Sequence, residues 1–221
     1  MTMASAYSPI DPNHIGHNNL DLDIASDDAP GHGEGGPASK QIIVSYGFWI
    51  FLLSDIVMFS AFFAAFQVLA GYSGEAAPSY DLNDVAIETG CLLISSFLCG
   101  VAALCASKRW LVRTELFLLL TGILGAIFLA LEVREFIGLI ANHQGPTDGA
   151  YYSGFFALVG CHGLHVTVGL LWLGTMMAQL ITKGFRQDIL RRLACFSLFW
   201  HALDIVWVAI FSLVYLMRFA P

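Results

Sequence analysis

Residues 115–141 read ELFLLLTGILGAIFLALEVREFIGLIA, and this stretch decides the fold. No charged residue occurs in it between Glu115 and Glu132. A helix needs about 20 apolar residues to cross the roughly 30 Å hydrocarbon core of a bilayer, because lipid offers the backbone no hydrogen-bond partner. The stretch therefore predicts a transmembrane helix.

Four other stretches of the chain have a similar length and composition. The composition of the whole chain supports the same interpretation. Of its residues, 57% are hydrophobic and only 12% are charged, whereas soluble domains are about one quarter charged. The sequence thus predicts an all-α, polytopic membrane bundle of five transmembrane helices. The predicted spans are residues 44–70, 86–107, 115–141, 151–182 and 193–217.

The first 39 residues differ from the rest of the chain. They are rich in Asp, Gly, Pro, Asn and Ser, and they contain no Lys or Arg. Such a segment buries too little apolar surface to offset the entropy lost on ordering, and it lacks the features of a cleaved secretory signal. We expect residues 1–39 to be a disordered acidic tail and residues 40–221 to form the transmembrane domain.

The basic residues predict the orientation of the spans, because Lys and Arg in short loops stay on the cytoplasmic side. The loops at residues 71–85 and 142–150 have neither Lys nor Arg, and Arg218 follows the last span. The opposite side carries Lys40, Lys108, Arg109, Arg113, Lys183, Arg186, Arg191 and Arg192. The N-terminus is therefore expected in the cytoplasm and the C-terminus outside.

Seven ionisable side chains inside the spans are candidate site residues, because a charge there costs about 2.5–3.5 kcal/mol and needs a partner. Counting about 1.5 Å per residue predicts two layers. Asp55, His201 and Asp204 fall in the cytoplasmic half, and Glu132, Glu135, His162 and His165 fall in the outer half. We expect Asp55 to bond with His201 or another polar neighbour, whereas Glu88 is interpreted as an interface residue.

Acidic and histidine pairs at i, i+3 spacing hold two metals in some four-helix bundles. Here the Glu132-x-x-Glu135 pair lacks the histidine of that arrangement, and Arg134 can satisfy a carboxylate without a metal. Structural hydrogen bonding between helices is the competing interpretation. A proton relay through the buried carboxylates is another.

Two histidines from different helices can also ligate a heme. His162 or His165 would have to combine with His201, although helix counting separates their depths by about 10 Å. A standalone proton-coupled transporter and a heme-bearing membrane anchor therefore remain alternatives. The residues alone leave the function open.

Four ordered motifs narrow this choice. They are Phe48-Trp49 with LLSDIVMF (52–59), LGAIFL (124–129) with Glu132 and Glu135-Phe136, GCHGLHV (160–166) with Gly169, and FWHALDIVW (199–207). Together they resemble subunit III of the heme-copper terminal oxidases. In that resemblance Asp55 stands at the family's intramembrane carboxylate, and Glu132 stands where many relatives have Gln. The five spans are similar to the cytochrome o ubiquinol oxidase branch of the family rather than to its seven-span members.

The resemblance implies a multi-pass subunit of a bacterial inner-membrane respiratory oxidase, with its C-terminus in the periplasm. The complex would pass electrons from ubiquinol to oxygen and pump protons, with heme and copper in the large subunit I and with subunits II and IV as further partners. This chain is expected to have no catalytic, cofactor or metal ligand of its own and no nucleic-acid partner. Its implied role is to stabilise the catalytic subunit and to support proton uptake or bind membrane lipids.

Overall fold

A computed structural model describes residues 40–72 and 82–216 of the chain. In these ranges the backbone forms five α-helices and one π-helical turn, without strands. The elements are α1 (Lys40–Tyr72), α2 (Leu82–Ser107), α3 (Leu111–Ala141), α4 (Ala150–Lys183), α5 (Gln187–Ile210) and the π-helical turn (Phe211–Leu216). Within the described residues, all five helices are long and apolar enough to cross a membrane. The predicted all-α bundle of five spans is confirmed, whereas the predicted acidic tail lies outside these residues.

All five helices begin earlier than the sequence predicted. α3, for example, begins at Leu111 rather than at residue 115, and α5 begins at Gln187 rather than at residue 193. The apolar stretch marks only the part of a helix that lies in hydrocarbon, whereas backbone hydrogen bonding continues into the headgroup region. The 31 residues of α3 span about 46 Å at 1.5 Å per residue, which exceeds the roughly 30 Å core.

The chain divides into two units, residues 1–47 and residues 48–221, and the second unit contains the bundle. In this unit α2, α3, α4 and α5 form a closed ring, in which each helix contacts the next and α5 contacts α2. Two connections in the ring are short: Lys108–Trp110 joins α2 to α3, and Gly184–Arg186 joins α4 to α5. Gly184 has a positive φ of 65°, a conformation that glycine adopts without steric penalty, and α4 ends there.

Small residues let α5 approach the ring closely. The Trp200 indole lies 2.9 Å from the positions that a Cβ atom would occupy at Gly125 on α3 and at Gly169 on α4. A side chain at either glycine would collide with the ring. Trp200 is consequently buried, with 2% of its surface exposed, and it fixes the spacing of three helices.

From Phe48 onward, α1 packs against α4 through aromatic rings. The ring centroids of Phe48 and Trp172 lie 6.0 Å apart, and those of Phe66 and Tyr151 lie 5.4 Å apart. Most of the remaining surface of α1 is exposed and apolar. In a bilayer such a surface contacts lipid tails or another membrane subunit.

Candidate functional site

Asp55 lies on the side of α1 that packs against α4, where it interacts electrostatically with His165. The His165 Nδ1 atom is 2.7 Å from the carbonyl oxygen of Cys161, one turn earlier on α4. The Phe59 ring lies 5.3 Å from the His165 ring and covers it. Asp55 itself is partly exposed, so this acidic and histidine pair faces the surface of the bundle.

His201 and Asp204 form a second polar pair, which is joined to α2 through Ser96. The Ser96 Oγ atom lies 2.6 Å from His201 Nδ1, and Ser96 also interacts with the Asp204 carboxylate. When His201 carries its proton on Nδ1, it donates to Ser96 Oγ and leaves the Ser96 hydroxyl proton for Asp204. Ser96 then connects α2 to two side chains of α5.

A third group, the Ser95 cluster, consists of Ser95, Thr121 and Trp200. Ser95 Oγ donates to the Thr121 carbonyl oxygen at 3.0 Å and accepts from Trp200 Nε1 at 3.1 Å. The Thr121 hydroxyl donates to the Phe117 carbonyl oxygen at 2.8 Å. All three side chains are buried, and each of their polar groups has a hydrogen-bond partner. The cluster ties α2, α3 and α5 together.

A fourth group, the carboxyl cluster, consists of Glu88, Glu132, Glu135 and Tyr215 at the end of the bundle where α3 leads into α4. Glu88 is 3% exposed and Glu132 is 2% exposed. The Tyr215 hydroxyl lies 3.4 Å from each oxygen of the Glu135 carboxylate. The Glu132 carboxyl group interacts electrostatically with those of Glu88 and Glu135. Three acidic side chains thus share one interior region.

His162 is completely buried beside this region, with 0% of its surface exposed. Its ring centroid lies 5.3 Å from that of Trp207, 5.9 Å from Phe128 and 6.4 Å from Phe59. Neither ring nitrogen has a hydrogen-bond partner among residues 40–72 and 82–216. Aromatic rings enclose His162, so a heme could reach its nitrogens only by displacing them.

The structure rearranges the two layers that the sequence predicted. His201 and Asp204 lie together as expected, and so do Glu132 and Glu135. Asp55 interacts with His165, the alternative of another polar neighbour to His201, because α1 packs on α4 in this bundle. Depth along a helix therefore did not decide between the two alternatives for Asp55.

Several residues of these clusters were missed in the sequence, and Glu88, which was interpreted as an interface residue from its position near the start of a span, is buried inside the bundle. Its burial shows that it belongs to the interior. A heptad-like spacing could have identified the buried face of α2, since polar and small residues recur there at intervals of four and three. The buried members of this series are Glu88, Leu92, Ser95, Cys99, Ala102 and Ala106. Tyr215 gave no comparable signal, because the π-helical turn that carries it changes the helical register.

Metal binding was one alternative that the sequence left open. In the described part of the chain, His, Cys, Asp and Glu side chains form no group of three or more that could hold a metal ion. The clusters offer hydrogen bonding and proton binding as their chemistry.

Comparison with known proteins gives a consistent result. Residues 23–218 match the family described as cytochrome c oxidase subunit III. The chain belongs to the cytochrome c oxidase subunit III family. This match covers every described helix, including the parts that carry all four polar groups.

Curated relatives within this family come from quinol oxidases. The chain is 44% identical over 176 residues to the cytochrome bo(3) ubiquinol oxidase subunit 3 of Pseudomonas aeruginosa, covering 78% of this chain and 84% of that protein. It is 40% identical over 174 residues to the quinol oxidase subunit 3 of Bacillus subtilis, covering 77% and 85%. A relative from Buchnera aphidicola with the same ubiquinol oxidase name is 37% identical over 174 residues. The matching relatives are thus covered over most of their own length.

Proposed function

We propose that this chain is the non-catalytic subunit III of a bacterial respiratory ubiquinol oxidase. The observation that carries the proposal is the extended similarity to subunits of quinol oxidases, at up to 44% identity over 78% of the chain. The geometry supports it, because the Ser95 cluster and the Ser96–His201 contact join neighbouring helices through hydrogen bonds. In this proposal heme, copper and ubiquinol chemistry belong to the large subunit I.

The proposed placement is multi-pass in the bacterial inner membrane, with the N-terminus in the cytoplasm and the C-terminus in the periplasm. The distribution of Lys and Arg in the short loops supports this orientation. Two basic side chains at the α2–α3 turn also lie over an aromatic ring, with Lys108 5.2 Å and Arg113 4.4 Å from the Trp110 ring centroid. Such amphipathic groups suit the headgroup level of a bilayer.

The apolar outer surface of α1 supports an assembly role. Trp49, Phe51 and Val57 project from it with exposed fractions of 51%, 47% and 69%. We propose that this subunit packs against the large subunit, stabilises it together with subunits II and IV, and supports proton uptake or holds lipids at the shared surface. Asp55 and His165 are the groups proposed for proton uptake, because they form an acidic and histidine pair at the surface of α1 that would face the large subunit.

Tagging the chain in its native host and purifying it in a mild detergent tests the proposal. We expect larger heme-containing subunits to co-purify with ubiquinol oxidase activity and a reduced-minus-oxidised heme spectrum. Accessibility of a single introduced cysteine near each terminus to a membrane-impermeant reagent tests the orientation. A colourless chain that purifies alone and carries proton-coupled flux in liposomes would refute the accessory-subunit assignment, and stoichiometric heme on the isolated chain would refute it as well.

A further inference from the structure

The carboxyl cluster contains an interior acid that the proposed assembly role does not use. Trp207 positions this cluster by touching two helices at once. Its ring centroid is 4.6 Å from that of Phe128 on α3, and its Nε1 atom donates to Thr89 Oγ1 on α2 at 3.1 Å. Glu132 lies one turn beyond Phe128, and Glu88 directly precedes Thr89. The two carboxyl groups therefore enter the same interior region from neighbouring helices.

Glu132 is sealed inside the bundle by α4. One of its carboxyl oxygens lies 2.7 Å from the position that a Cβ atom would occupy at Gly163, so the group fits only because that residue is glycine. Within the part of the chain that the structure describes, neither oxygen of Glu132 has a hydrogen-bond partner. Only 2% of its surface is exposed.

The charges around Glu132 oppose its ionisation. An ionised carboxylate in an apolar interior needs a cation or several hydrogen-bond donors. The acidic groups that act on Glu132 are Glu88 from α2 and Glu135 from α3. His162 from α4 is buried beneath aromatic rings, and an imidazolium there would face the same desolvation penalty. Arg134 follows Glu132 by two positions but lies on the exposed side of α3.

The three acids differ in the support that they have for a negative charge. Glu135 is placed to accept a hydrogen bond from the Tyr215 hydroxyl, which stabilises its ionised form. Like charges that share a buried site cannot all be ionised, and the proton is retained by the group with the least support. That group is Glu132.

We infer that Glu132 holds a proton at neutral pH, which makes this interior region a proton-binding site separate from Asp55. The proton resides on a Glu132 carboxyl oxygen, on which the Glu88 and Glu135 carboxyl groups act electrostatically. Glu135 remains the ionised member, held by Tyr215. Gly163 is the positioning residue that leaves room for the protonated carboxyl group.

Infrared spectroscopy of the purified, intact complex tests this inference, because a protonated carboxyl group absorbs apart from a carboxylate and its band shifts in D₂O. Spectra of the wild type, Glu132→Gln and Glu135→Gln are compared in H₂O and D₂O. We expect Glu132→Gln to remove the intensity of one carboxylic acid. Glu135→Gln is the matched control on the same helix, and it should retain that intensity.

Two results would overturn the inference: an unchanged acid band in Glu132→Gln, or a band lost in Glu135→Gln alone. If the Glu132→Gln subunit fails to assemble, Glu88→Gln decides the question. Because the Glu88 carboxyl group acts electrostatically on Glu132, Glu88→Gln should shift the Glu132 acid band or change its intensity. A band that neither shifts nor changes intensity in Glu88→Gln would overturn the inference.

Discussion

The Ser95 cluster and the carboxyl cluster lie in the same four-helix ring, yet they are built in opposite ways. Each polar group of the Ser95 cluster has a partner, through bonds of 2.8–3.1 Å. Glu132 of the carboxyl cluster is equally buried, but the described residues provide neither of its oxygens with a hydrogen bond. Burial is therefore the same in the two places, whereas hydrogen bonding differs.

This difference in hydrogen bonding indicates that buried polar groups have two roles in this bundle, one structural and one chemical. Neutral groups that satisfy one another fix the register of neighbouring helices, and they contribute modestly to stability. A buried group without a partner is uncommon in proteins and calls for an explanation such as a bound proton or a functional role. The Ser95 cluster is accordingly structural, and the carboxyl cluster is the place where chemistry is expected.

Replacing Trp200 with Ala should produce the largest loss of stability. The change empties the space between Gly125 and Gly169 and removes the donor to Ser95, and buried aromatic-to-Ala substitutions cost about 3–5 kcal/mol. The free energy of unfolding can be measured by SDS titration in detergent micelles, followed by circular dichroism. Trp200→Phe is the control, because it keeps most of the ring but loses the N–H group. A loss as large in Trp200→Phe as in Trp200→Ala would show that the hydrogen bond outweighs the packing.

Gly163→Ala should have a smaller effect that is specific to the carboxyl cluster. The new methyl group would lie 2.7 Å from a Glu132 oxygen, and overpacking of this kind costs about 1–3 kcal/mol. The same SDS titration measures this loss. At Gly160, on the same helix, a Cβ atom would make an ordinary contact with Phe136 at 3.7 Å, so Gly160→Ala should be nearly neutral.

A double variant sharpens the Gly163 prediction. If the collision with Glu132 is the cause, Gly163→Ala should cost little in a chain that already carries Glu132→Ala. Equal losses in both backgrounds would place the cause elsewhere on α4. The coupling between the two substitutions thus measures the contact directly.

The spans could be predicted from the sequence because a bilayer imposes a minimum apolar length on any helix that crosses it. Residues 115–141 illustrate this, since the predicted end of α3 at Ala141 is also the end found. The start of α5 could not be predicted in the same way. Charged residues such as Asp188 and Arg191 looked like a loop, but they pair with each other along a helical turn.

It was harder to predict from the sequence which side chains contact one another in the candidate sites. Helical periodicity gives the depth and the face of a side chain, but not which helix lies opposite. Asp55 shows the consequence, since its partner depends on the packing of α1 against α4. Glu88 shows another, because its position near the start of a span resembled an interface while the ring of helices encloses it. The sequence showed which residues carry ionisable side chains. Which of these side chains lie close together depends on the order of the helices around the ring, and the sequence did not show that order.

Ser96→Ala should give the smallest of the three losses of stability. It tests a polar side chain that, like those of the Ser95 cluster, has hydrogen-bond partners on a neighbouring helix. The change removes the 2.6 Å contact with His201 Nδ1. Hydrogen bonds between transmembrane helices contribute about 0.6 kcal/mol on average and up to about 1.7 kcal/mol. We expect a loss in the upper part of this range, because His201 and Asp204 both lose the group that joins them to α2.

Ser60→Ala is the matched control for this prediction. The Ser60 hydroxyl donates to the Ile56 carbonyl oxygen at 2.7 Å, within its own helix and on an exposed face. Removing it leaves the contacts between helices intact, so SDS titration should detect little change. Equal effects of the two substitutions would mean that the contact between Ser96 and His201 contributes little to stability. A larger effect of Ser96→Ala, abolished when His201 is also replaced, would show that a satisfied polar group stabilises this bundle through its partner on the neighbouring helix.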